Sequence, residues 1–434
     1  MKNGIFSCLI AAGALCLLGR ADAVTTASLQ AEIDRVSAAG GGCVTVPPGE
    51  WTVGTLWLKS GVELHLEKGA VLKASANLDD YNAPDAYPQN FGSAAEGWSA
   101  KHLIIAHEAE NVAVTGPGVI DGHADAFMAE PDAQMRIGDF CWRHGYLNAR
   151  DRAHAKRPGQ MLVFVESKGI RIADVTLRNM PMWTCFLHGC ENAAIGNVTI
   201  SNDLRHANTD GFDIDSGRHV TVSNCTITTG DDAFAIRGAP ARLKDRSRVC
   251  EDIRISDCTC ACSASGVRVG VGDGAIRNVR FRNIRFREAG HGLLVQSCYP
   301  EAKYTGVAIS DVSFENVTLD DCSHAIVVTA GTDKADTVLE KVTFRNVSAA
   351  MSGSVVVEGA GKTRPRDITF EGLKLRLVPP ARPRSTTKDW QIVGAGNLFE
   401  AAIVKENADN VVFRDVSVTR DPALGPERAR DFLE

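Results

Sequence analysis

Short segments in which apolar and polar residues alternate recur along most of the chain. Each reads aliphatic, any residue, aliphatic or Phe, any residue, Asn or Asp (one copy ends in Gly), and they begin at Val175, Val198, Val220, Ile253, Val279, Val312, Val342, Ile368 and Val411. A period of two predicts β-strands, and recurrence at spacings as short as 22 residues, Val198 to Val220, predicts a solenoid. One coil cannot bury its inner face alone, so we expect successive coils to stack with equivalent positions above one another.

The polar residue that closes each segment predicts a second stacked feature. We expect these amides to form a buried ladder inside a turn, each bonded to its neighbours: Asn179, Asn202, Asn224, Asn283, Asn316 and Asn346.

Two other features would complete the solenoid. Ala27 to Ala38 has helical spacing of its apolar residues, which predicts a helix capping the first coil. Longer irregular stretches, at 77–98, 121–159 and 379–397, are predicted to leave the stack as loops. The second loop could form a rim that binds sugar or simply cover the surface; its candidate side chains are Arg136, Trp142, Arg143, His144, Tyr146 and Arg150.

The first 23 residues have the features of a secretory signal peptide. Lys2 precedes an apolar run, and small residues stand at Ala21 and Ala23, so we expect cleavage after Ala23. The run is too short for a comfortable membrane span. We therefore predict a secreted or periplasmic protein that uses no membrane, with residues 24–434 as a single domain because no linker divides them.

The amino-acid composition limits the classes of partner that the protein can bind. The chain has 47 Lys and Arg against 53 Asp and Glu, a net charge of −6, which argues against nucleic acid. We expect a monomer. Eleven of the 13 cysteines follow the leader, and Cys258, Cys260 and Cys262 alternate on one strand face. Their spacing does not fit a zinc site and favours buried packing, with or without a disulfide.

The segment Asn208 to Ile236 carries the candidate chemistry. Asp210 and the pair Asp231 and Asp232 lie about one repeat apart, so stacking would bring their carboxyl groups together. Carboxyl groups at a fixed separation are what acid-catalysed cleavage of a glycosidic bond requires. The alternative is that these residues only close turns, which Asp and Asn favour.

The residues of this segment resemble those of glycoside hydrolase family 28, the polygalacturonases and rhamnogalacturonases. NTDGFD from Asn208 and GDDAFAI from Gly230 are similar to the two acidic motifs of that family. The resemblance continues in VPPGEW, LKSGVELHLEKGAVL, GPGVIDG, RPGQM and MPMWTCFLHGCENAAI, and so covers nearly the whole chain after the leader. It implies an all-β fold, a single-stranded right-handed parallel β-helix.

The resemblance also implies roles for the acidic residues. Asp231 matches the general acid, and Asp210 and Asp232 match the pair that holds and deprotonates the attacking water, which gives inversion without a metal or cofactor. Adjacent like charges raise the pKa of one member, as a general acid needs. Asn208 and His206 are expected to line the cleft. Asp213 is expected to orient Asn208 or nearby backbone, and Asp215 to lie on the surface.

The chain departs from the polygalacturonase pattern where that family binds the substrate carboxylate. Ser265, followed by Gly266, stands where His is expected, and Leu294 and Gln296 replace Arg and Lys. Leu cannot reproduce an Arg clamp on a carboxylate. Replacement contacts could come from Arg237, Arg268 or His188. Ser265, Gly266 and Gln296 are also expected to contact the substrate. The sequence therefore predicts an exported inverting hydrolase of an α-linked pectic glycan, rhamnogalacturonan-like or exo-acting.

Two other functions remain open at this point. A β-helical lyase would use Ca²⁺ bound by the acidic cluster, with Arg237 or Arg268 as its base. A non-catalytic β-helix would bind glycans or serve a structural role. The complete set of three aspartates favours the hydrolase over both.

Overall fold

A computed structural model describes residues 23–93, 97–128, 157–299, 304–331, 337–360, 362–379, 401–426 and 429–433. One α-helix, α1 (Thr26–Ala38), is present among them. Thr25 caps it, since its Oγ1 accepts a hydrogen bond from the Ser28 amide at 3.1 Å and Ser28 Oγ accepts one from the Thr25 amide at 2.9 Å. Its buried face, Leu29, Ile33 and Val36, packs on the first coil. The predicted capping helix is confirmed.

The remaining described elements are three short 3₁₀ helices (Leu78–Asp80, Ala124–Ala126, Pro240–Arg242) and thirty strands that pair in parallel. Eight strands belong to the first sheet alone: β1 (Gly42–Val46), β4 (Val62–Leu66), β7 (Glu110–Thr115), β10 (Lys168–Ala173), β13 (Glu191–Gly196), β16 (Arg218–Ser223), β25 (Arg366–Glu371) and β28 (Asp409–Arg414). Eight belong to the second: β2 (Gly49–Val53), β5 (Ala70–Ala74), β8 (Val119–Asp121), β11 (Thr176–Arg178), β14 (Thr199–Ser201), β17 (Thr226–Thr229), β26 (Lys374–Leu377) and β29 (Ser417–Arg420).

Ten strands form the third sheet: β3 (Leu56–Trp57), β6 (Ile104–His107), β9 (Leu162–Val165), β12 (Cys185–His188), β15 (Phe212–Asp215), β18 (Phe234–Gly238), β20 (Ser265–Gly272), β24 (Val355–Gly359), β27 (Ala401–Glu406) and β30 (Arg430–Leu433). Four strands bend from one sheet into the next: β19 (Cys250–Cys262), β21 (Ala275–Gln296), β22 (Ala308–Ala330) and β23 (Leu339–Met351). Each rung of the chain thus contributes to three sheets in turn, which confirms the parallel β-helix. Connections between parallel strands of one sheet are right-handed in nearly all proteins.

Stacking of equivalent positions fills the interior. In the first sheet Val279, Val312 and Val342 are successive partners. A column of parallel phenylalanine rings runs beside them at centroid separations of 4.6–5.0 Å: Phe281, Phe314, Phe344, Phe370 and Phe413. Identical side chains stack because each meets the same pleated surface on the rung below.

The predicted amide ladder exists in part, but its position was wrong. Asn316 Nδ2 donates to Asn283 Oδ1, and Asn346 Nδ2 to Asn316 Oδ1, both at 3.1 Å, and all three residues are exposed. They occupy the turn between the first and second sheets with positive φ, which Asn tolerates better than most residues. We call this column the asparagine turn.

Two residues of the predicted ladder belong elsewhere. Asn179 and Asn202 follow β11 and β14 of the second sheet, whereas the segment from Val220 lies in β16 of the first. The prediction therefore wrongly stacked the segments that begin at Val175 and Val198, which belong to the second sheet, on the segment that begins at Val220, which belongs to the first. From Val220 to Val411 the predicted alignment is correct, because each start pairs directly with the next.

Among the described cysteines, all but Cys43 are buried. Cys258, Cys260 and Cys262 lie in β19, so the prediction of buried packing is confirmed without a disulfide. In the part of the chain that the structure describes, no helix is long and apolar enough to span a membrane.

Candidate active site

The three candidate aspartates meet where the chain enters the third sheet. Asp210 precedes β15 by two residues, Asp232 precedes β18 by two, and Ser265 opens β20. Backbone hydrogen bonds fix their stacking, because the Gly211 amide donates to Asp232 O at 2.9 Å and the Ala233 amide to Ser265 O at 3.0 Å. The site is thus built on consecutive rungs, and we call this column the acidic edge.

Glycine lets the backbone turn sharply before the pair of aspartates. A Cβ at Gly230 would lie 1.9 Å from His206 O, and one at Gly211 would lie 2.4 Å from Ala233 O. Neither contact is possible for another residue without moving the neighbouring rung. The glycines of both acidic motifs are therefore explained by close packing of rungs.

The three carboxyl groups form one cluster. Asp210, Asp231 and Asp232 each have an oxygen within 4.8 Å of the other two, and all are buried. Asp231 is held by two amides, with Asn208 N donating to Oδ2 at 3.1 Å and Asp232 N to Oδ1 at 3.0 Å. Asp210 Oδ1 has no hydrogen-bond partner. The prediction that stacking brings the three together is confirmed.

Arg268 forms an ion pair with one carboxylate of the cluster, that of Asp232. Its guanidinium pairs with Asp232 through Nε and Nη2, and Ser265 N donates to the same carboxylate at 2.7 Å. Nη1 donates to Gln296 Oε1, and Nη2 also to Ser265 Oγ, both at 3.4 Å. The predicted contact residues Arg268, Ser265 and Gln296 therefore lie together and hold Asp232.

The neighbouring carboxyl groups have perturbed pKa values. Burial, then the charge of Asp232, raises the pKa of Asp231 to about 7, partly offset by Arg268. Burial, then Asp231, raises the pKa of Asp210 well above its usual range. The two adjacent carboxyl groups thus differ in environment. The surroundings of Asp231 favour its protonated, neutral form, whereas Asp232 lies against the permanent positive charge of Arg268.

Asn208 is held in position by a residue that the sequence did not single out. Arg157, fully buried, donates from Nη2 to Asn208 Oδ1 at 2.8 Å and from Nη1 to the carbonyls of Pro181 and Ala207 at 2.8 and 3.0 Å. Asn208 has a positive φ of 60°, and its amide binds Asp231. Arg157 therefore fixes the loop that fixes Asp231. The sequence feature that could have pointed to Arg157 is its place in RPGQM, one of the segments that resemble the family, although this segment lies far from the acidic motifs in the sequence.

The sequence expectations for Asp213 and Asp215 were wrong. Asp213 is fully buried and neither of its oxygens accepts a hydrogen bond, so it does not orient Asn208. Asp215 is buried, not on the surface, and Oδ1 accepts from the Ala239 amide at 2.8 Å and Ser216 Oγ at 2.9 Å. Their strand, β15, is covered on its outer face as well as its inner face, which alternation alone does not reveal.

Arg237 lies between these two aspartates. Its guanidinium is 3.7 Å from Asp213 Oδ1 and 3.9 Å from Asp215 Oδ2, and it sits 4.7 Å above the ring centre of Trp183. Burial lowers the pKa of Arg237, but the nearby charges, Tyr304 first and then Asp213 and Asp215, outweigh burial and raise that pKa above its usual range.

The other predicted residues lie close by with different surroundings. His206 is buried, and burial lowers its pKa, partly offset by the charges of Asp203 and Asp125. A Cβ at Gly266 would be 2.6 Å from the Phe286 ring, so this glycine fits the core. His188 stacks on Phe186 at 5.2 Å, as expected for a packing residue. The rim candidates between Arg136 and Arg150 lie outside the described residues.

An aromatic wall covers the third sheet on the N-terminal side of the acidic edge. Trp98, from the long loop at 77–98, packs on Trp183 at 5.6 Å, and Trp183 packs on Phe186 at 5.5 Å. Phe91 joins Trp98 at 5.1 Å. Trp183 precedes β12, the rung directly before that of Asp210. The sheet surface therefore ends in a wall one rung from the carboxyl cluster.

Known proteins share this architecture. The family model for glycosyl hydrolases family 28 matches residues 43–388. The endo-polygalacturonase of Pectobacterium carotovorum subsp. carotovorum is 24% identical over 393 residues, 87% of this chain and 88% of that protein. The endo-polygalacturonase of Pectobacterium parmentieri is 25% identical over 354 residues, 78% of each chain. The solved hyperthermoactive exopolygalacturonase from Thermotoga maritima superposes with a TM-score of 0.66 at 20% identity, covering 91% of this chain and 88% of that one, which supports the right-handed β-helix.

Proposed function

Since the chain belongs to glycosyl hydrolases family 28 and is a glycoside hydrolase, we propose that it cleaves an α-linked pectic glycan at the acidic edge. Asp231 protonates the leaving oxygen, Asp232 accepts a proton from the attacking water, and Asp210 helps to hold that water. The observation that carries the proposal is the electrostatic difference between the two adjacent residues. Asp231 has its pKa raised to about 7, while Asp232 is bound by Arg268.

The stereochemistry rests on the family resemblance. Inverting enzymes usually separate their two carboxyl groups by about 6.5–9.5 Å, leaving room for the water. Here one oxygen of each carboxyl group lies within 4.8 Å of an oxygen of each of the other two. We propose inversion, with a water held by Asp210 and Asp232 together. ¹H NMR of the first product, before mutarotation, distinguishes an inverted from a retained anomer.

Exo action is supported by the aromatic wall. A glycan lying along the third sheet across Asp210 would meet Trp183 and Trp98 one rung further on. Relatives named as endo- and exo-acting both occur among similar proteins, so the name of a relative does not decide this point. An exo enzyme would release one small product from the start of digestion, whereas an endo enzyme would first give a range of lengths.

The substrate is expected to differ from plain polygalacturonan. Leu294 and Gln296, where polygalacturonases carry cations, are both buried, and Gln296 accepts a hydrogen bond from Arg268. Rhamnogalacturonan-like substrates do not need those cations. A panel of pectic oligosaccharides tests this choice. We further propose export through the leader, which lies outside the described residues, and mass spectrometry of the mature protein should find Val24 at its N-terminus.

The decisive experiment is Asp231→Asn. The substitution keeps the size of the side chain but removes its transferable proton, so kcat should fall by about three orders of magnitude while KM stays similar. The unfolding midpoint in urea should show that the fold is retained. Unchanged turnover by this variant contradicts the role of Asp231.

The lyase alternative is less well supported. Asp231 and Asp232 have their oxygens committed to amides and Arg268, whereas Ca²⁺ needs six to eight oxygen ligands. Neighbouring carboxylates raise the pKa of both Arg237 and Arg268, which disfavours either as a base. Unsaturated products that absorb ultraviolet light, together with inhibition by a chelator, would favour the lyase. A non-catalytic module would bind the same oligosaccharides and leave them intact.

A further inference from the structure

The two arginines of the site differ in their unused hydrogen-bonding capacity. Arg268 donates from Nε, Nη1 and Nη2 to protein oxygens. Arg237 makes no hydrogen bond with any described residue, although its Nε is buried and its side chain is only 14% exposed. Its ion pairs, at 3.7 and 3.9 Å, are longer than hydrogen bonds.

Unused acceptors surround the same guanidinium. Both oxygens of Asp213 and Oδ1 of Asp210 are buried without a hydrogen bond. Asp210 and Asp213 belong to one rung, and Arg237 to the next, where it pairs with Asp215 in the register of the sheet. Buried polar groups in native proteins are nearly always satisfied, so a cluster of unsatisfied donors and acceptors beside a reaction centre indicates a polar ligand.

From this cluster we infer that Asp213 and Arg237 bind ring hydroxyl groups of the sugar unit that occupies the pocket between the acidic edge and Trp183. The inference rests on the proposed hydrolase function and names residues that select its substrate. A hydroxyl both donates and accepts, and it can bridge Asp213 Oδ1 and the guanidinium 3.7 Å away. A carboxylate could pair with Arg237 but would also place its charge against the oxygens of Asp213 and Asp210.

The pocket can admit such a group. Asp213 is fully buried, and the neighbouring Arg237 retains some exposure, so a hydroxyl reaches Asp213 when the guanidinium shifts aside, and it then bonds to both groups. Among the described residues Arg237 has no hydrogen bond to break, and its ion pairs at 3.7 and 3.9 Å leave room for the shift. Trp183 supplies the apolar face beneath the guanidinium, at 4.7 Å, on which a sugar ring can also rest.

Asp215 provides a matched control. It lies on the same strand two residues from Asp213 and at a similar distance from Arg237, 3.9 Å against 3.7 Å. Its Oδ1 already accepts two hydrogen bonds, from Ser216 and Ala239. Asp213→Asn and Asp215→Asn therefore make the same replacement of a carboxyl group beside Arg237, but only the first alters unused acceptors.

The test measures binding of small probes by ligand-observed NMR to the wild type and both variants. The probes are methyl α-D-galactosiduronic acid, its 2-, 3- and 4-deoxy analogues, methyl α-D-galactoside and methyl α-L-rhamnoside. We expect at least one deoxy analogue to bind the wild type roughly ten-fold more weakly than its parent, and Asp213→Asn to abolish that difference. Asp215→Asn should preserve it, and unfolding midpoints should show that both variants are folded.

Several results would overturn the inference. One is the same difference in affinity between parent and deoxy probe in the wild type and in Asp213→Asn. Another is loss of that difference in Asp215→Asn as well. The others are a difference seen only with the probe that carries a carboxylate, and no binding of any probe. Its failure is separable from failure of the proposed function. Binding that depends on Asp213 without turnover of any glycan would refute the hydrolase only, whereas turnover without this dependence would refute the pocket only.

Discussion

The asparagine turn and the acidic edge are both columns of polar residues repeated on successive rungs, yet they differ in how those residues are satisfied. In the asparagine turn each amide donates to the next, as Asn346 does to Asn316, and the column is exposed. At the acidic edge three carboxyl groups are buried together, and only Asp232 has a cation. An amide carries both a donor and an acceptor, so it can repeat indefinitely, whereas a carboxylate repels its own copy.

This difference shows how a repetitive scaffold can hold a reactive group. The rungs supply the same close stacking at both columns. Where the chain places amides, stacking gives hydrogen bonds. Where it places acids, burial, and then the charge of the neighbouring carboxyl group, raises the pKa of Asp231 and Asp210. The strain of the acidic edge is tolerated because rungs on either side are fixed by packing in the core.

Removing the cation of the acidic edge should have the largest effect on stability. Arg268→Gln leaves Asp232 buried without a partner, so we expect a loss of about 3–5 kcal/mol in the free energy of unfolding, together with loss of activity. Urea denaturation measures the first. Arg277→Gln, which breaks an exposed pair with Glu251, is the matched control and should cost less than about 1 kcal/mol.

If Arg268→Gln does not fold, the double variant with Asp232→Asn removes both charges and should recover most of the stability. Equal losses from Arg268→Gln and Arg277→Gln would show that the acidic edge is not electrostatically special.

The second effect is the change in the free energy of unfolding with pH, which has opposite signs at the acidic edge and at the asparagine turn. The native pKa of Asp210 is raised, so between about pH 4 and that value the folded state binds more protons, and stability falls as pH rises. Asp210→Asn removes this loss, and we expect it to be about 1–3 kcal/mol more stable than wild type at pH 8, with no gain near pH 4.

Asp257, whose Oδ1 accepts a hydrogen bond at 2.9 Å from Asn283 of the asparagine turn, is the control for this prediction. Hydrogen bonds from Asn283 and Ser256 lower its pKa, so its contribution is present at neutral pH and is lost as pH falls through that pKa. Asp257→Asn should therefore destabilise slightly at pH 8 and not stabilise. Urea midpoints at pH 4 and 8 for both variants decide the matter, and a gain from both substitutions would contradict the assigned signs.

Much of this architecture could be predicted because stacking requires identical residues at identical positions. The period of two and the spacing of the two acidic motifs both follow from local rules. Asp213 and Arg157 could not be placed that way. Their environments depend on segments distant in sequence, the loop that carries Trp98 and the rung that carries Trp183, whose packing no local pattern specifies.

The misaligned ladder has a different cause. Segments of the first and second sheets share one pattern, so Val198 resembles Val220 although they begin strands of different sheets. Burial was also assigned wrongly, because an amide ladder needs only mutual hydrogen bonds and a backbone that tolerates positive φ, and both are available at the surface.

The smallest expected effect tests the asparagine turn itself. Asn316 donates to Asn283 and accepts from Asn346, with a φ of 56°. Asn316→Ala removes both hydrogen bonds and places a Cβ residue with no local polar partner in the left-handed region, so we expect a loss of about 1–2 kcal/mol in urea denaturation. Asn316→Gly removes the same hydrogen bonds and relieves the backbone cost. It should therefore lose less than Asn316→Ala, because the two variants differ only in the backbone cost of a positive φ. An equal or larger loss from Asn316→Gly would show that the hydrogen bonds, and not tolerance of positive φ, stabilise this column.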